Sequence, residues 1–202
     1  MTREKSMDDK KSWLKDRIGE YASSLLLNND EIISALCDIA SVIREVRNSN
    51  KTVYFAGNGA STTIASHAAL DYTNQLAVKC HAMNDPNFIT CFANDFGYDD
   101  FMSRTAKLYC GQDDVVILIS SSGESPNVIA AAKTAREKGC KVITLSGFNS
   151  ENTLRTLGDI NLWLDSTQYN VVECIHMIWL VMVCDLIVSE ESDKVGLHGV
   201  NL

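Results

Sequence analysis

The chain is short of positive charge: 18 Lys and Arg stand against 26 Asp and Glu, for a net charge of -8. Nothing in that balance suits a nucleic acid or an anionic membrane surface, both of which call for cationic patches. A phosphorylated ligand would have to be bound locally, by loops and helix ends. Cys-X-X-Cys pairs are missing as well. The seven cysteines, at 37, 80, 91, 110, 140, 174 and 184, are odd in number and lie mostly inside apolar runs. That excludes a zinc knuckle and a disulfide framework and reads as small core residues in a reducing, cytoplasmic compartment. The N-terminal stretch MTREKSMDDKKSW is too charged for a signal peptide. The one long apolar run, Val171 to Val188, contains Glu173, His176 and Asp185, which argues against a membrane span. Internal repeats and low-complexity linkers are absent too, and 202 residues at 46% hydrophobic are ample for one globular domain.

What the chain does have is organised around Val115 to Lys138, VVILISSSGESPNVIAAAKTAREK. Five apolar residues, mostly β-branched, predict a fully buried strand. Ser120-Ser121-Ser122-Gly123-Glu124-Ser125 breaks it, with four serines in six residues. Ser125 suits a helix N-cap and Pro126 a first helical residue. A turn of this kind points backbone N–H groups and the positive end of a helix dipole at one spot. With the hydroxyls added, the spot holds a phosphate without Lys or Arg. The plainer alternative is a well-capped strand–helix loop, which every α/β protein has; the density of serines favours the anion site.

Along the chain, residues 1–8 read as a floppy start. A helix from Asp9 to about Leu27 shows through Trp13, Ile18, Tyr21 and Leu25. Asn28-Asn29-Asp30 interrupts it, and a second helix carries a wide apolar stripe of Ile32, Ile33, Leu36, Ile39, Ala40, Ile43 and Val46. This hairpin, residues 1–50, is not needed for a strand–helix sheet, and so wide a stripe often packs on another subunit. Residues 51–190 then alternate strands and helices, with strands near Lys51, at Val78 to Ala82, from Val115, at Lys141 to Ser146 and at Ile160 to Leu164. A helix break is expected at Asn94-Asp95-Phe96-Gly97, a short helix at Glu151 to Leu157 and a long one from about Tyr169 to Glu190, followed by a frayed tail over 191–202. The fold class is α/β: a single, doubly wound domain with a five-stranded parallel sheet, preceded by a helical hairpin. Ligands of such sheets bind beyond the carboxyl ends of the strands.

Two further features fall on that edge. Gly57-Asn58-Gly59 follows the first strand and lets the backbone approach a ligand. Thr62 stands where a dinucleotide fingerprint needs its third glycine, so a nucleotide cofactor is not expected, although Asp85 after the next strand imitates a ribose-binding acid. On the helix that follows, His67 and Asp71 are four apart and share a face. Spacing alone leaves open whether they are a surface pair or an acid/base or metal pair.

Four segments taken together resemble the SIS (sugar isomerase) domain, and more narrowly the phosphoheptose isomerases, which convert sedoheptulose 7-phosphate to a heptose 7-phosphate. They are Gly57-Asn58-Gly59-Ala60-Ser61, Asn94-Asp95-Phe96-Gly97, the serine turn with Asn127-Val128-Ile129, and Glu173-Cys174-Ile175-His176. The likeness covers almost the whole chain. It implies a homotetramer with active sites at subunit interfaces and a sugar phosphate seated on Ser120, Ser121, Ser122 and Ser125. It implies that Asn58, Gly59, Ala60, Ser61, Asn94 and Asp95 hold the sugar, and that His67 is a zinc ligand where zinc is present.

Against the family pattern, Asp71 stands where a Glu acts as base and metal ligand. Glu173 replaces a Gln, Val181 replaces a His that serves as general acid and further metal ligand, and GNGAS replaces GNGGS. Aldose–ketose isomerisation through an enediol needs a carboxylate base and an acid or cation near the oxygens. Asp71 is the candidate base. Glu173 is a second base, or a metal ligand with His67 and Asp71. His176 is expected in the core rather than at a metal. Two functions compete: an isomerase of a sugar phosphate, or a non-catalytic SIS protein that binds sugar phosphates or a protein partner such as a replication initiator. Val181 favours the second, and His67, Asp71 and Glu173 together favour the first.

Overall fold

The structure is a computed structural model that describes residues 6–26 and 30–195. Two helices, α1 (Met7–Leu26) and α2 (Asp30–Asn48), precede the sheet. The rest runs β1 (Thr52–Gly57), α3 (Ala60–Leu76), β2 (Lys79–Ala82), α4 (Pro86–Phe96), α5 (Phe101–Tyr109), β3 (Val115–Ser120), α6 (Pro126–Glu137), β4 (Lys141–Ser146), α7 (Thr153–Leu157), β5 (Ile160–Trp163) and α8 (Tyr169–Val195). The five strands are all parallel, in the order β2-β1-β3-β4-β5. The order reverses between β1 and β3, and a cleft opens at that point in sheets of this kind.

Strand side chains alternate between two cores. Val53, Phe55, Ile117, Ile119, Ile143 and Leu145 face the layer of α2, α3 and α8. Tyr54, Ala56, Val116, Leu118 and Val142 face α5, α6 and α7. A strand buried on both faces needs a continuous apolar run, as in VVILIS, where every residue is buried. Tyr72 ties α3 to the last helix: its ring meets Phe55 edge-on at 5.5 Å and its hydroxyl donates to Leu180 O at 3.0 Å. Arg44 and Arg47 on α2 pair with Glu190 and Glu191 on α8. The stretch Tyr169–Glu191 is long and apolar enough to cross a bilayer, and half of it is buried inside the fold. Packing on α2 and α3 accounts for that half without a membrane.

Several boundaries differ from expectation. α1 begins at Met7, because Ser6 and Asp9 cap each other's backbone: Asp9 N donates to Ser6 Oγ at 3.2 Å and Ser6 N to Asp9 Oδ2 at 3.2 Å. α4 continues through Asn94 and Asp95, and its break falls at Gly97, at φ 92°. α8 runs five residues past Glu190, to Val195. Residues 1–5, the break at Asn28-Asn29 and the tail from 196 onward lie outside the described residues.

The centre of the sheet carries the stability. Ile117, fully buried on β3, is its middle residue on the α2/α3/α8 side. Ile117→Ala should cost about 2–5 kcal/mol in urea denaturation; a negligible loss would mean the neighbouring helices collapse into the void.

Candidate active site

Two turns meet at the carboxyl edge where β1 and β3 lie side by side. The first is Gly57-Asn58-Gly59. Gly57 has no room for a side chain, since a Cβ would lie 2.6 Å from Ser61 Cβ and 2.9 Å from Ile119 O. The second is the serine turn. Gly123 N donates to Ser120 O at 3.0 Å and to Ser120 Oγ at 3.2 Å, and Gly123 holds φ 68°. A Cβ on Gly123 would lie 2.0 Å from Asn152 Oδ1, so glycine is required for both space and conformation. Glu124 turns away from the cleft, accepting from Thr153 N at 2.7 Å and Thr153 Oγ1 at 2.8 Å. Asn152, wholly buried, donates to Ser146 Oγ at 3.0 Å and caps α7 by accepting from Arg155 N at 3.0 Å. The serine turn is thus braced from behind by the β4–α7 segment.

Ser125 stands at the N-cap of α6, as expected, but its side chain makes no capping bond. Its hydroxyl pairs instead with Ser120 Oγ at 3.1 Å, across the turn. Asn58, Ser61, Ser120, Ser121, Ser122, Ser125, Tyr169 and Glu173 enclose a cleft of about 110 Å³. Among the described residues, no Lys, Arg or His lines it. Burial alone raises the Glu173 carboxyl above its ordinary value.

A family profile for the SIS domain matches residues 19–147. The chain belongs to the SIS domain family. Among similar proteins, the phosphoheptose isomerase of Aliarcobacter butzleri is 32% identical over 156 residues, 74% of this chain and 82% of that one. The phosphoheptose isomerase of Escherichia fergusonii is 32% identical over 178 residues, 82% and 92% of the two chains. Of solved structures, a phosphoheptose isomerase from Neisseria gonorrhoeae superposes with a TM-score of 0.83 at 24% identity, covering 89% of this chain and 98% of that one. The Vibrio vulnificus NanR protein complexed with ManNAc-6P has a TM-score of 0.62 at 17% identity, covering 94% and 72%. At those identities the two structures establish a shared fold.

The remaining expected residues of this SIS domain do not all converge. Gly59 and Ala60 flank the cleft residues Asn58 and Ser61 and are exposed. Asn94 and Asp95 sit on the last turn of α4, bonded to each other at 2.9 Å, and do not line the cleft. The helix persists through them, so the loop that reaches the site is the next one: Tyr98 donates its hydroxyl to Asn58 Oδ1 at 3.2 Å. Asp71 lies ten residues along α3 from Ser61, about 15 Å by helical rise. It is bonded to His67, Oδ2 to Nε2 at 3.1 Å. The same carboxylate is near Cys184, whose thiol is pushed up to about 11 by burial, with Asp71 adding to it. Val181, one turn before Cys184 on α8, therefore belongs to the His67–Asp71 neighbourhood, while Glu173 belongs to the serine cleft.

Among the described residues, no three of His, Cys, Asp or Glu come together around one point. His67 and Asp71 supply two donors already joined to each other, Val181 supplies none, and Glu173 is at the other end of the helix pair. Within one chain, then, His67, Asp71 and Glu173, the set offered as metal ligands, do not come together around one point.

Three residues at the site carried no role in the sequence reading. Tyr169 lines the cleft and packs edge-on against Phe148 at 4.8 Å. Asn127 and Asn152 are buried polar side chains, and an asparagine just past a turn signals capping at most. His176 takes the core position expected of it. It is fully buried, and its Nε2–H donates to Ser146 O at 3.1 Å, which leaves Nδ1 without a partner. Burial pushes the imidazole down to about 4, partly offset by the Ser146 bond. The unfolded chain takes up this proton near 6.5, and the folded chain refuses it until about 4. Stability is therefore full above 6.5 and falls as pH drops toward 4. His176→Gln, which keeps a donor for Ser146 O, should reduce the stability lost between neutral pH and pH 5 by about 2 kcal/mol in urea titrations. An unchanged pH dependence would mean that the native imidazole is protonated inside the fold.

Proposed function

We propose that this SIS domain is a sugar-phosphate isomerase of the aldose–ketose class, with sedoheptulose 7-phosphate as the first substrate to try, given the names of its relatives. The observation that carries the reading is the neutral serine cleft at the switch point of the sheet, closed on its other side by a carboxylate. The phosphate sits on Ser120, Ser121, Ser122 and Ser125, beside the N-terminus of α6. The sugar then extends toward Asn58, Ser61 and Glu173. Glu173 takes the proton from the hydroxyl-bearing carbon beside the carbonyl to leave an enediolate, the hydroxyl proton passes to the former carbonyl oxygen, and Glu173 returns its proton to the former carbonyl carbon. Burial raises its carboxyl toward the working pH, which suits a base.

Asp71 reaches a sugar in this scheme only if a second copy brings its α3 surface to the cleft. A homotetramer is the proposed assembly, in a cytoplasmic setting. Support comes from large apolar side chains left exposed on three helices: Trp13, Leu14 and Ile18 on α1, Leu70 on α3 and Met182 on α8. Leu70 and Met182 adjoin Asp71 and Val181 in sequence, so that surface runs past the His67–Asp71 pair. The second reading is a non-catalytic binder of sugar phosphates or of a protein. It draws on Val181 and on the distance between Asp71 and the cleft.

Three measurements separate these. Replacing Ser122 and Ser125 by Ala should weaken sugar-phosphate affinity about 100-fold or more by calorimetry, since each bond to a charged acceptor is worth about 1.5–3 kcal/mol; unchanged affinity removes the phosphate from this turn. With the His of the family pattern absent, a general acid worth about 10²- to 10⁴-fold is lost. Native protein should therefore bind sedoheptulose 7-phosphate yet exchange its carbon-bound proton with deuterated water slowly, and Val181→His should raise that rate. Fast native turnover, of several per second, contradicts the second statement and leaves the first intact. Light scattering at micromolar concentration should give four times the chain mass, and a monomer mass rules the assembly out.

A further inference from the structure

Asn58 is a cleft residue whose side chain is bonded from two other elements. Its Oδ1 accepts from Asn127 Nδ2 at 2.8 Å, on α6, and from Tyr98 OH at 3.2 Å, in the α4–α5 loop. Its Nδ2 donates to Asn127 Oδ1 at 2.9 Å. The two amides thus form a reciprocal pair.

The polarity of the pair is set by a group that can only donate. Val128 N, a backbone amide, donates to Asn127 Oδ1 at 3.0 Å. Asn127 must therefore present its oxygen to α6 and its nitrogen to Asn58 Oδ1. Asn58 is forced into the complementary orientation, and the Tyr98 hydroxyl reinforces it. Both lone pairs of Asn58 Oδ1 are then taken, one N–H is taken, and one N–H remains. Asn127 is 1% exposed, so water does not compete for the pair from its side. A side chain that is ordinarily both donor and acceptor is left, in a cleft of about 110 Å³, with a single donor.

We infer that Asn127 and Tyr98 are positioning residues which hold Asn58 as a donor only, committing its free N–H to the sugar oxygen that gains negative charge as the enediol forms. The inference rests on the sugar-phosphate reading above. It gives the chain a neutral donor for that oxygen where Val181 supplies none. Donors held in place before charge develops are the effective ones, because nothing has to reorganise when it appears. It also sets a preference: Asn58 favours a carbonyl or enolate oxygen, which accepts, over a group that must donate to it.

The test compares two phosphorylated probes that share the serine turn. One is a planar sugar hydroxamate phosphate, which carries the charge pattern of the enediolate. The other is the corresponding alditol phosphate, which does not. Native protein should bind the hydroxamate more tightly by about 100-fold, the scale of one such donor. Tyr98→Phe, on an exposed loop where folding is not at stake, should reduce that preference by about tenfold, with hydroxamate affinity falling more than alditol phosphate affinity. Asn127→Asp keeps the acceptor for Val128 N and Asn58 Nδ2 but removes the donor to Asn58 Oδ1, and should lower the preference further. Restoration of the preference in Asn127→Asp at a pH low enough to protonate the new carboxyl would support a positioning role over a structural one. Native binding of both probes with equal affinity overturns the inference and leaves the phosphate assignment standing, as does a native preference that survives both substitutions. Binding of neither probe overturns the phosphate assignment and this inference with it.

Discussion

The site depends on how closely the end of β1 approaches the end of β3. Gly57 lies opposite Ile119 in the register of the two strands. Any side chain at 57 would collide with the Ile119 carbonyl and the first turn of α3. Because the position is glycine, the turn after β1 lies against the start of α6, and Asn58 can reach Asn127. Ser61 is brought to the rim of the serine turn by the same approach. Widening this contact by one methyl group would separate the turn after β1 from the serine turn.

The second turn is held from the opposite side, where Gly123, Glu124, Asn152 and Thr153 interlock. Bracing of this kind fixes the hydroxyls before a ligand arrives, so less ordering is left for binding. The cradle is also neutral. In a chain of net charge -8, hydroxyls and a helix end offer an anion a place without burying a cation. The same choice has a consequence for Glu173. With no Lys or Arg in the cleft to stabilise its charged form, burial acts on it unopposed and its carboxyl rises.

Much of the architecture was visible in the residues. Strands buried on both faces are uninterrupted apolar runs closed by Gly, Ser or Asn, and β4 was bounded to the residue. The serine turn was visible because strand, turn and Pro-led helix each have their own local signal. The break expected over Asn94-Asp95-Phe96-Gly97 falls at the last of these residues, because Asn and Asp signal a turn yet fit well enough in a last helical turn when a glycine follows. Contacts between distant segments left no such trace. Asn58 and Asn127 are 69 residues apart, and nothing local distinguishes Asn127 from an ordinary residue of a first helical turn. The distance between Asp71 and Glu173 was equally hidden. Sequence spacing tells which side chains share a helix face, but not where along two packed helices they fall opposite one another.

That last point bears on how the chain departs from its family. α3 and α8 pack along their length, with Ser61 facing Glu173 at one end and Asp71 near Cys184 at the other. Residues 71 and 181 fall at the far end, and Glu173 falls at the cleft. In the proposed scheme Glu173 serves as a base beside the serine turn, but a base does not stabilise a developing oxyanion. A valine at 181 offers neither a proton nor a charge, and among the described residues no cation lines the cleft. Whatever stabilisation the sugar oxygen receives from within this chain must then come from neutral hydrogen bonds, and the Asn58 amide, with its oxygen already occupied, is oriented to give one.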